Sequence, residues 1–171
     1  VIWTDFTATS TGRSSVPVRI YRNESAENAP SFYYIHGGGM WSGSIEIDHA
    51  KVAQMCADLQ WNIVTVDYRR APEFPHPAPM EDCVTTYLWL MEQGNSFGLD
   101  LCRLVMGGLS AGGGLALATT LWLKDNNKPL PRLLMLQCPM VDDTNSTPSI
   151  KEFDNLGPLF WDRTKNVEAW A

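Results

Sequence analysis

The sequence has no excess of basic residues and no long hydrophobic run. Thirteen Lys and Arg stand against 19 Asp and Glu, so the formal net charge at pH 7 is -6. Nucleic acids and anionic membrane surfaces bind clustered positive charge, and we therefore expect neither as a partner. No apolar segment approaches the roughly 20 residues of a transmembrane helix. Residues 1–15 also lack the apolar stretch of a signal peptide.

Cysteine is sparse, and no C-x-x-C pair is present. The four cysteines are widely separated and have apolar neighbours, as buried free thiols do; they are Cys56, Cys83, Cys102 and Cys138. Reduced cysteines are typical of intracellular proteins, so we expect a cytoplasmic location. Two Asn-x-Ser/Thr triplets, which begin at Asn23 and Asn145, weakly favour secretion instead.

Segments with strand and helix patterns alternate along the 171 residues, which is the length of one domain. Alternating or continuously apolar runs predict six strands: Ile2–Ala8, Val16–Tyr21, Phe32–Ile35, Ile63–Val66, Leu104–Gly107 and Leu133–Cys138. Longer amphipathic runs predict helices: Asp48–Leu59 with Asp48 as cap, Met80–Gln93, Ala111–Lys124, and a further helix that begins within Trp161–Trp170. Strands separated by helices predict an α/β fold with a mainly parallel sheet, whose sites lie at the carboxyl ends of the strands.

One strand end carries the pattern Gly-x-Ser-x-Gly. An apolar run, Leu104–Met106, leads into Gly108-Leu109-Ser110-Ala111-Gly112, and a helical run follows. A strand, a tight turn and a helix in this order form the nucleophile elbow of α/β-hydrolases. Glycines on either side let the helix approach the strand and let the serine adopt strained dihedral angles. The sequence therefore predicts Ser110 as a nucleophile at the tip of a turn.

A second pattern, His36-Gly37-Gly38-Gly39, follows the apolar strand at Phe32–Ile35. Three consecutive glycines leave backbone N–H groups free to point into a site. Such fixed donors can stabilise a developing alkoxide, and this pattern forms the oxyanion hole of lipases and esterases. Upstream of a Gly-x-Ser-x-Gly turn, it indicates an oxyanion hole rather than a plain glycine-rich turn.

A third block strengthens the interpretation. Asp67 to Glu73 reads DYRRAPE, Phe74 to Pro79 reads FPHPAP, and Glu81-Asp82 follows. The three blocks together resemble the hormone-sensitive-lipase-like esterases, which share a DYRLAPE…FPA…ED stretch, over about residues 30 to 145. The resemblance implies an α/β-hydrolase-type, mainly parallel sheet with helices on both faces. It also implies hydrolysis of short-chain carboxylic esters by a serine nucleophile, without a metal or other cofactor.

The resemblance assigns roles to individual residues. Ser110 corresponds to the catalytic nucleophile, and the N–H groups of Gly38, Gly39 and Ala111 to the oxyanion hole. His36 would brace the glycine loop instead of acting as a base. Further residues of the two glycine motifs would support the site; these are Gly37, Gly108 and Gly112. His49 and His76 read as ordinary polar residues near the surface.

The sequence departs from the family pattern in two ways. Leu109 replaces the Asp that precedes the nucleophile in the usual Gly-Asp-Ser-Ala-Gly. No histidine follows Ser110, although this fold places its base last in the chain. Family members continue through two more strands, which carry the acid and the histidine, so we expect the sheet to be C-terminally incomplete. Asp142 and Asp143 follow the last predicted strand and are weak candidates for the acid.

These departures leave three hypotheses. The chain is the N-terminal and central part of a serine esterase, or a catalytically incompetent fragment or binding protein, or an enzyme whose acid and histidine come from another chain. The strand Leu133–Cys138 should be an apolar sheet edge, which invites pairing. We therefore expect a homo-oligomer associated through that edge or through Trp161–Trp170.

Overall fold

The computed structural model describes residues 1–26, 28–153 and 161–170. Six strands form one sheet: β1 (Ile2–Ala8), β2 (Val16–Arg22), β3 (Pro30–Ile35), β4 (Asn62–Val66), β5 (Asp100–Leu109) and β6 (Leu133–Gln137). Five α-helices accompany the sheet: α1 (Ile45–Leu59), α2 (Ala78–Gln93), α3 (Ala111–Asp125), α4 (Pro148–Phe153) and α5 (Arg163–Trp170). A short 3-10 helix, Gly94–Phe97, follows α2.

The strands lie in the order β1-β2-β4-β3-β5-β6. β3, β4, β5 and β6 are mutually parallel, whereas β2 runs antiparallel to both β1 and β4. The prediction of a mainly parallel α/β sheet is therefore confirmed. β3 and β5 pair in the middle of the sheet, so their carboxyl ends place His36 and Ser110 side by side. Among the described residues, no strand pairs with the outer side of β6.

Helices cover both faces of the sheet. α2 and α3 pack on one face over the larger core cluster, which includes Tyr33, Val64 and Met106. α1 packs on the other face over a smaller cluster, which includes Phe32 and Ile63. Because β3 and β4 are buried on both faces, almost all of their residues are inaccessible to solvent, which explains their continuously apolar sequence.

The structure corrects several local predictions. α1 begins at Ile45 rather than Asp48, because the Ser44 side chain caps the helix by accepting a hydrogen bond from the Ile47 N–H at 3.2 Å. α2 begins at Ala78 rather than Met80, since Pro79 fits the first turn of a helix. Leu59, the last residue of α1, is 43% exposed.

The prediction of four buried thiols holds for only two of them. Cys56 and Cys83 are buried, whereas Cys102 and Cys138 are exposed because they lie in the outer part of β5 and just after β6. All four are free. Across residues 1–26, 28–153 and 161–170, no helix has the length and apolar character needed to cross a membrane.

A buried carboxylate fixes the loop that follows β4. Asp82, on α2, is 1% exposed and accepts hydrogen bonds from the backbone N–H, Nε and Nη2 of Arg69 at 2.8 to 2.9 Å. The neighbouring Glu81 is about half exposed and lies 3.8 Å from the same guanidinium. The carboxylate raises the pKa of Arg69, which stays fully charged. Of the two acidic residues in the third sequence motif, Asp82 is therefore the one that holds the loop, and Glu81 lies at the surface.

We predict that Asp82→Ala lowers the free energy of unfolding by roughly 2–4 kcal/mol, because it removes the buried acceptor of the Arg69 backbone N–H and of the partly exposed Arg69 guanidinium. The matched control is Glu81→Ala, which removes an exposed ion pair and should cost less than about 1 kcal/mol. Urea denaturation of the three proteins measures both values. Equal losses in the two variants would contradict this account of the loop.

Candidate active site

Ser110 lies in a sharp turn between β5, which ends at Leu109, and α3, which begins at Ala111. Its φ of 55° and ψ of -118° place a residue with a side chain in a strained region of the dihedral map. Hydrogen bonds hold the turn: the Ser110 N–H donates to the carbonyl of Gln137 at 2.9 Å, and the Ser110 carbonyl accepts from the N–H of Met140 at 2.9 Å. The end of β6 and the loop that follows it therefore hold the turn in its strained geometry.

Close backbone contact explains the glycines that flank Ser110. A Cβ at Gly112 would lie 2.1 Å from the carbonyl oxygen of Ile35, and a Cβ at Gly108 would lie 2.4 Å from the same atom. Both distances are far inside van der Waals contact, so α3 can reach the end of β3 only where side chains are absent. Leu109, which replaces an Asp of the related family, is half-buried. The turn forms without that carboxylate.

The glycine loop after β3 folds back on itself. Gly38 has a φ of 121°, and a Cβ there would lie 2.2 Å from the carbonyl oxygen of Ser42. The Gly38 carbonyl accepts from the N–H of Trp41 and from the N–H and Oγ of Ser42 at 2.9 to 3.2 Å. Among the described residues, the N–H groups of Gly38 and Gly39 donate to no other group. The loop therefore presents two uncommitted backbone donors.

Gly37 sets the distance between this loop and the serine. A Cβ at Gly37 would lie 2.8 Å from the carbonyl oxygen of Leu109 and 3.5 Å from the Cβ of Ser110. The Ala111 N–H opens α3 and, as the first amide of a helix, has no acceptor within it. The geometry thus brings the residues predicted as oxyanion hole and nucleophile into one small region.

His36 braces the loop from beneath. Its imidazole is 2% exposed, its Nδ1 donates to the carbonyl of Gly37 at 2.8 Å, and its ring stacks on Tyr68 at a centroid distance of 4.2 Å. The Tyr68 hydroxyl donates to the His36 carbonyl at 3.1 Å. Burial lowers the pKa of His36, and the Gly37 carbonyl and the Asp67 carboxylate, 4.0 Å from Nε2, oppose that effect only in part. The ring is neutral near pH 7.

The remaining histidines and candidate acids lie in other settings. The Nδ1 of His49 hydrogen-bonds to the Tyr21 hydroxyl at 3.0 Å and lies 3.3 Å from Arg19, and His76 is exposed in the proline-rich loop. Within the described part of the chain, no imidazole hydrogen-bonds to the Ser110 hydroxyl. Asp142 accepts from the N–H and hydroxyl of Thr144, which lowers its pKa, and Asp143 is exposed.

A cavity of about 350 Å³ opens beside Ser110. Its walls combine apolar side chains with a few polar groups: Ser110, Cys138, Pro139, Met140, Val141, Asp142, Asn145, Thr147, Ile150, Trp161 and Asn166. A cavity of this kind is typical of a small-molecule site. No group of three or more His, Cys, Asp or Glu that could hold a metal occurs in residues 1–26, 28–153 and 161–170.

No sequence pattern predicted three of the residues that form the site. Tyr68 lies inside the DYRRAPE block, but its stacking on His36 requires the parallel pairing of β3 with β4. Trp161 and Asn166 line the cavity, and the Trp161 Nε1 donates to Asn166 Oδ1 at 3.0 Å. The only sequence signal for this pair was a pattern of aromatics in a polar tail, which predicted a helix and no site role.

We predict that the free energy of unfolding decreases as the pH is lowered through the range in which an ordinary histidine titrates. His36 should cause part of this decrease. An unfolded imidazole has a pKa of about 6.5. Since the folded pKa of His36 is lower, the unfolded state binds protons first. The contribution of His36 is present above the ordinary value and is lost as the pH falls from that value towards the lowered one.

Urea denaturation at pH 7.5, 6.5 and 5.5 measures this dependence. His36→Gln should flatten the dependence, even if it lowers stability at every pH. His76→Gln, a change at an exposed imidazole, should leave the wild-type dependence intact. The same slope in His36→Gln and wild type would show that another group is responsible.

Comparison with known proteins places the chain among esterases and lipases. A family model described as alpha/beta hydrolase fold matches residues 32–171. Lipase 2 of Moraxella sp. (strain TA144) is 34% identical over 145 residues, a match that covers 75% of this chain and 33% of the lipase. This chain therefore spans about a third of the length of that relative.

Solved structures give the same result. A bacterial heroin esterase superposes with a TM-score of 0.92 at 28% identity and covers 99% of this chain, which in turn covers 54% of the esterase. Esterase LipW from Mycobacterium marinum superposes with a TM-score of 0.88 at 33% identity. This match covers 99% of this chain and 53% of LipW. Together with the Ser110 turn and the glycine loop, these matches show that the chain belongs to the α/β-hydrolase family, in its hormone-sensitive-lipase-like branch.

Proposed function

We propose that this chain carries the nucleophile and oxyanion hole of a serine carboxylic-ester hydrolase. The observation that carries the proposal is the strained turn at Ser110, which lies directly beside a loop with two uncommitted glycine N–H groups. Tight turns of this kind expose a serine hydroxyl at the top of the sheet. The names of the related proteins, which are esterases and lipases, support the same chemistry.

The reaction would proceed through an acyl-enzyme. The Ser110 oxygen attacks the ester carbonyl, and the N–H groups of Gly38, Gly39 and Ala111 receive the negative charge that develops on the carbonyl oxygen. Donors fixed in advance stabilise that charge without reorganising, and a single such donor contributes about 2.7–4 kcal/mol in a well-studied protease. The C–O bond to the alkoxy group then breaks, and the alcohol leaves with a proton in place of the one that Ser110 lost, so that Ser110 remains acylated. Water then attacks the carbonyl carbon of this acyl-enzyme, which releases the carboxylic acid and restores the Ser110 hydroxyl.

The cavity supports small ester substrates. Its volume of about 350 Å³ lies at the lower end of the range of ligand sites, roughly 300–1,000 Å³. Met140, Val141 and Ile150 give it apolar walls that suit a short acyl or alkyl group. The steps assigned to this chain use a serine hydroxyl and backbone amides, so they require no cofactor.

The proton acceptor for Ser110 is the missing component. No described imidazole contacts its hydroxyl, and a serine without an adjacent base is a weak nucleophile near neutral pH. Serine proteases that lack triad members still retain roughly 10³–10⁴-fold acceleration over water. The same observation favours a second candidate function, binding of small esters without turnover, unless another chain or segment supplies the base.

We predict that a fluorophosphonate probe labels Ser110 and that Ser110→Ala abolishes the labelling, because the probe forms its bond at the nucleophilic oxygen. Labelling at pH 7.5 would indicate a competent base, whereas labelling only near pH 9 would indicate that hydroxide has to replace it. Intact-protein mass spectrometry measures the adduct.

Ser96→Ala is the matched control, since the Ser96 hydroxyl is exposed and bonds only to the carbonyl of Gln93. It should label as the wild type does. Labelling that survives Ser110→Ala would overturn the assignment of the nucleophile. No labelling at either pH, combined with binding of a short-chain ester, would favour the non-catalytic function.

We further propose that the chain self-associates through β6. Leu133 and Met135 are 57% and 48% exposed on a face of β6 that no described helix covers, while Leu134 and Leu136 point to the core cluster on the other face. The outer backbone groups of an edge strand are free to pair with another strand. A twofold axis through Met135 would pair two copies of β6 in antiparallel orientation.

We predict that Met135→Lys dissociates this assembly, since two ammonium groups would then lie opposite each other across the twofold axis. Sedimentation velocity at micromolar concentration measures the state of each protein. Leu121→Lys is the matched control, because Leu121 is a similarly exposed apolar residue, 51% exposed, that lies on α3 rather than on β6. A wild-type protein that sediments as a monomer at every concentration would refute self-association.

A further inference from the structure

Asn166 is a buried amide at the junction of the two loops that flank Ser110. It lies on α5, is 5% exposed and uses both ends of its side chain. Its Nδ2 donates to the carbonyl of Asp142 at 3.1 Å and to Oδ1 of Asn145 at 2.9 Å, and its Oδ1 accepts from Nε1 of Trp161 at 3.0 Å. A buried amide with three such partners is expensive to disturb, because each lost bond leaves a polar group unsatisfied.

The partners of Asn166 lead to the two halves of the candidate site. Asp142 and Asn145 belong to the loop after β6, and Met140 of that loop donates to the Ser110 carbonyl. On the other side, Trp161 packs on the oxyanion loop. A Cβ at Gly39 would lie 2.7 Å from Cη2 of Trp161, and the Trp161 ring lies 5.9 Å from the ring of Trp41.

We propose that Asn166 is a positioning residue: it holds Trp161 against Gly39 and so orders the oxyanion loop and one wall of the Ser110 cavity. The proposal rests on the hydrolase function proposed above. It adds a residue that touches neither the nucleophile nor the oxyanion donors, and it assigns Trp161 the role of limiting the size of the group bound beside Ser110.

Two consequences follow from the geometry. Without the hydrogen bond that Trp161 donates to Asn166, the indole can rotate away from Gly39, so the loop that carries the Gly38 and Gly39 amides loses its contact with the indole at Gly39. The cavity also widens on the Trp161 side, because the ring forms part of its wall. Small substrates should therefore react more slowly, while larger ones should be less affected.

The first experiment reads the structure without any reaction. Nitrogen-15 NMR and hydrogen exchange follow the Trp161 indole N–H and the Gly38 and Gly39 amides in wild type, Asn166→Ala and Val167→Ala. Val167 is the next residue on α5 and is 54% exposed, so its variant controls for disturbance of the helix. In Asn166→Ala we expect roughly tenfold faster indole exchange, equivalent to about 1.4 kcal/mol, and shifted glycine resonances. Val167→Ala should match the wild type.

The second experiment measures the rate of Ser110 phosphonylation at pH 9 with an ethyl and an octyl fluorophosphonate. Asn166→Ala should slow the ethyl probe by roughly tenfold, equivalent to about 1.4 kcal/mol, and change the octyl rate less. Asn166→Asp keeps an acceptor for Trp161 but replaces the donating amide. Its rate with the ethyl probe should therefore lie between the rates of wild type and Asn166→Ala. A general loss of folding would slow both probes equally.

The outcomes separate this inference from the proposed function. Faster indole exchange with unchanged glycine amides would overturn the positioning role. Asn166 would then only attach α5 to its neighbouring residues. A wild type that no probe labels would reject the hydrolase function, whereas the NMR result would still decide whether Asn166 orders the loop. Equal slowing of both probes by an Asn166→Ala protein whose NMR spectrum shows it to be folded would overturn the size-limiting role of Trp161.

Discussion

The contact between the Ser110 turn and the carboxyl end of β3 is the constraint on which the rest of the site depends. The Ile35 carbonyl oxygen occupies the space where side chains at Gly108 and Gly112 would lie. Because backbone meets backbone at this point, the loop that continues from β3 starts directly beside the serine. Gly38 then sets the direction of this loop. Only glycine fits at this position, because of its positive φ and its closeness to Ser42. Strain at Ser110 persists because packing on both sides fixes it.

The position of β5 between β3 and β6 explains why two separate loops meet at Ser110. β5 pairs with β3 on one side and β6 on the other, all three in parallel, so the segments after β3 and after β6 leave the sheet at the same edge. The first segment presents amides to the site, and the second accepts and donates the hydrogen bonds that clamp the Ser110 backbone. Packing of Trp161 on Gly39 connects the segments across the cavity.

Local patterns predicted the architecture well because the signals were themselves local. Continuous apolar runs marked β3 and β4, and the spacing of glycines marked the Ser110 turn. The predicted start of α1 was wrong by three residues, because Ser and Asp are both favoured N-cap residues and local sequence does not decide between Ser44 and Asp48. Trp161 and Asn166 could not be predicted as parts of the site. Their partners lie up to 122 residues away in sequence, and only the folded chain brings Trp161 to Gly39.

In the proposed reaction, the requirements of ester hydrolysis are divided between backbone and side-chain groups. The donors proposed for the oxyanion are backbone amides, so their action would not depend on protonation, whereas the base would be a titratable group that the described residues do not place at Ser110. The free edge of β6 lies next to this gap, since β6 leads into the loop that clamps Ser110. Any strand that pairs with β6 brings one of its own ends to the edge of the sheet where Ser110 lies. The self-association proposed above would therefore place residues of a partner chain near the edge of the sheet where Ser110 lies.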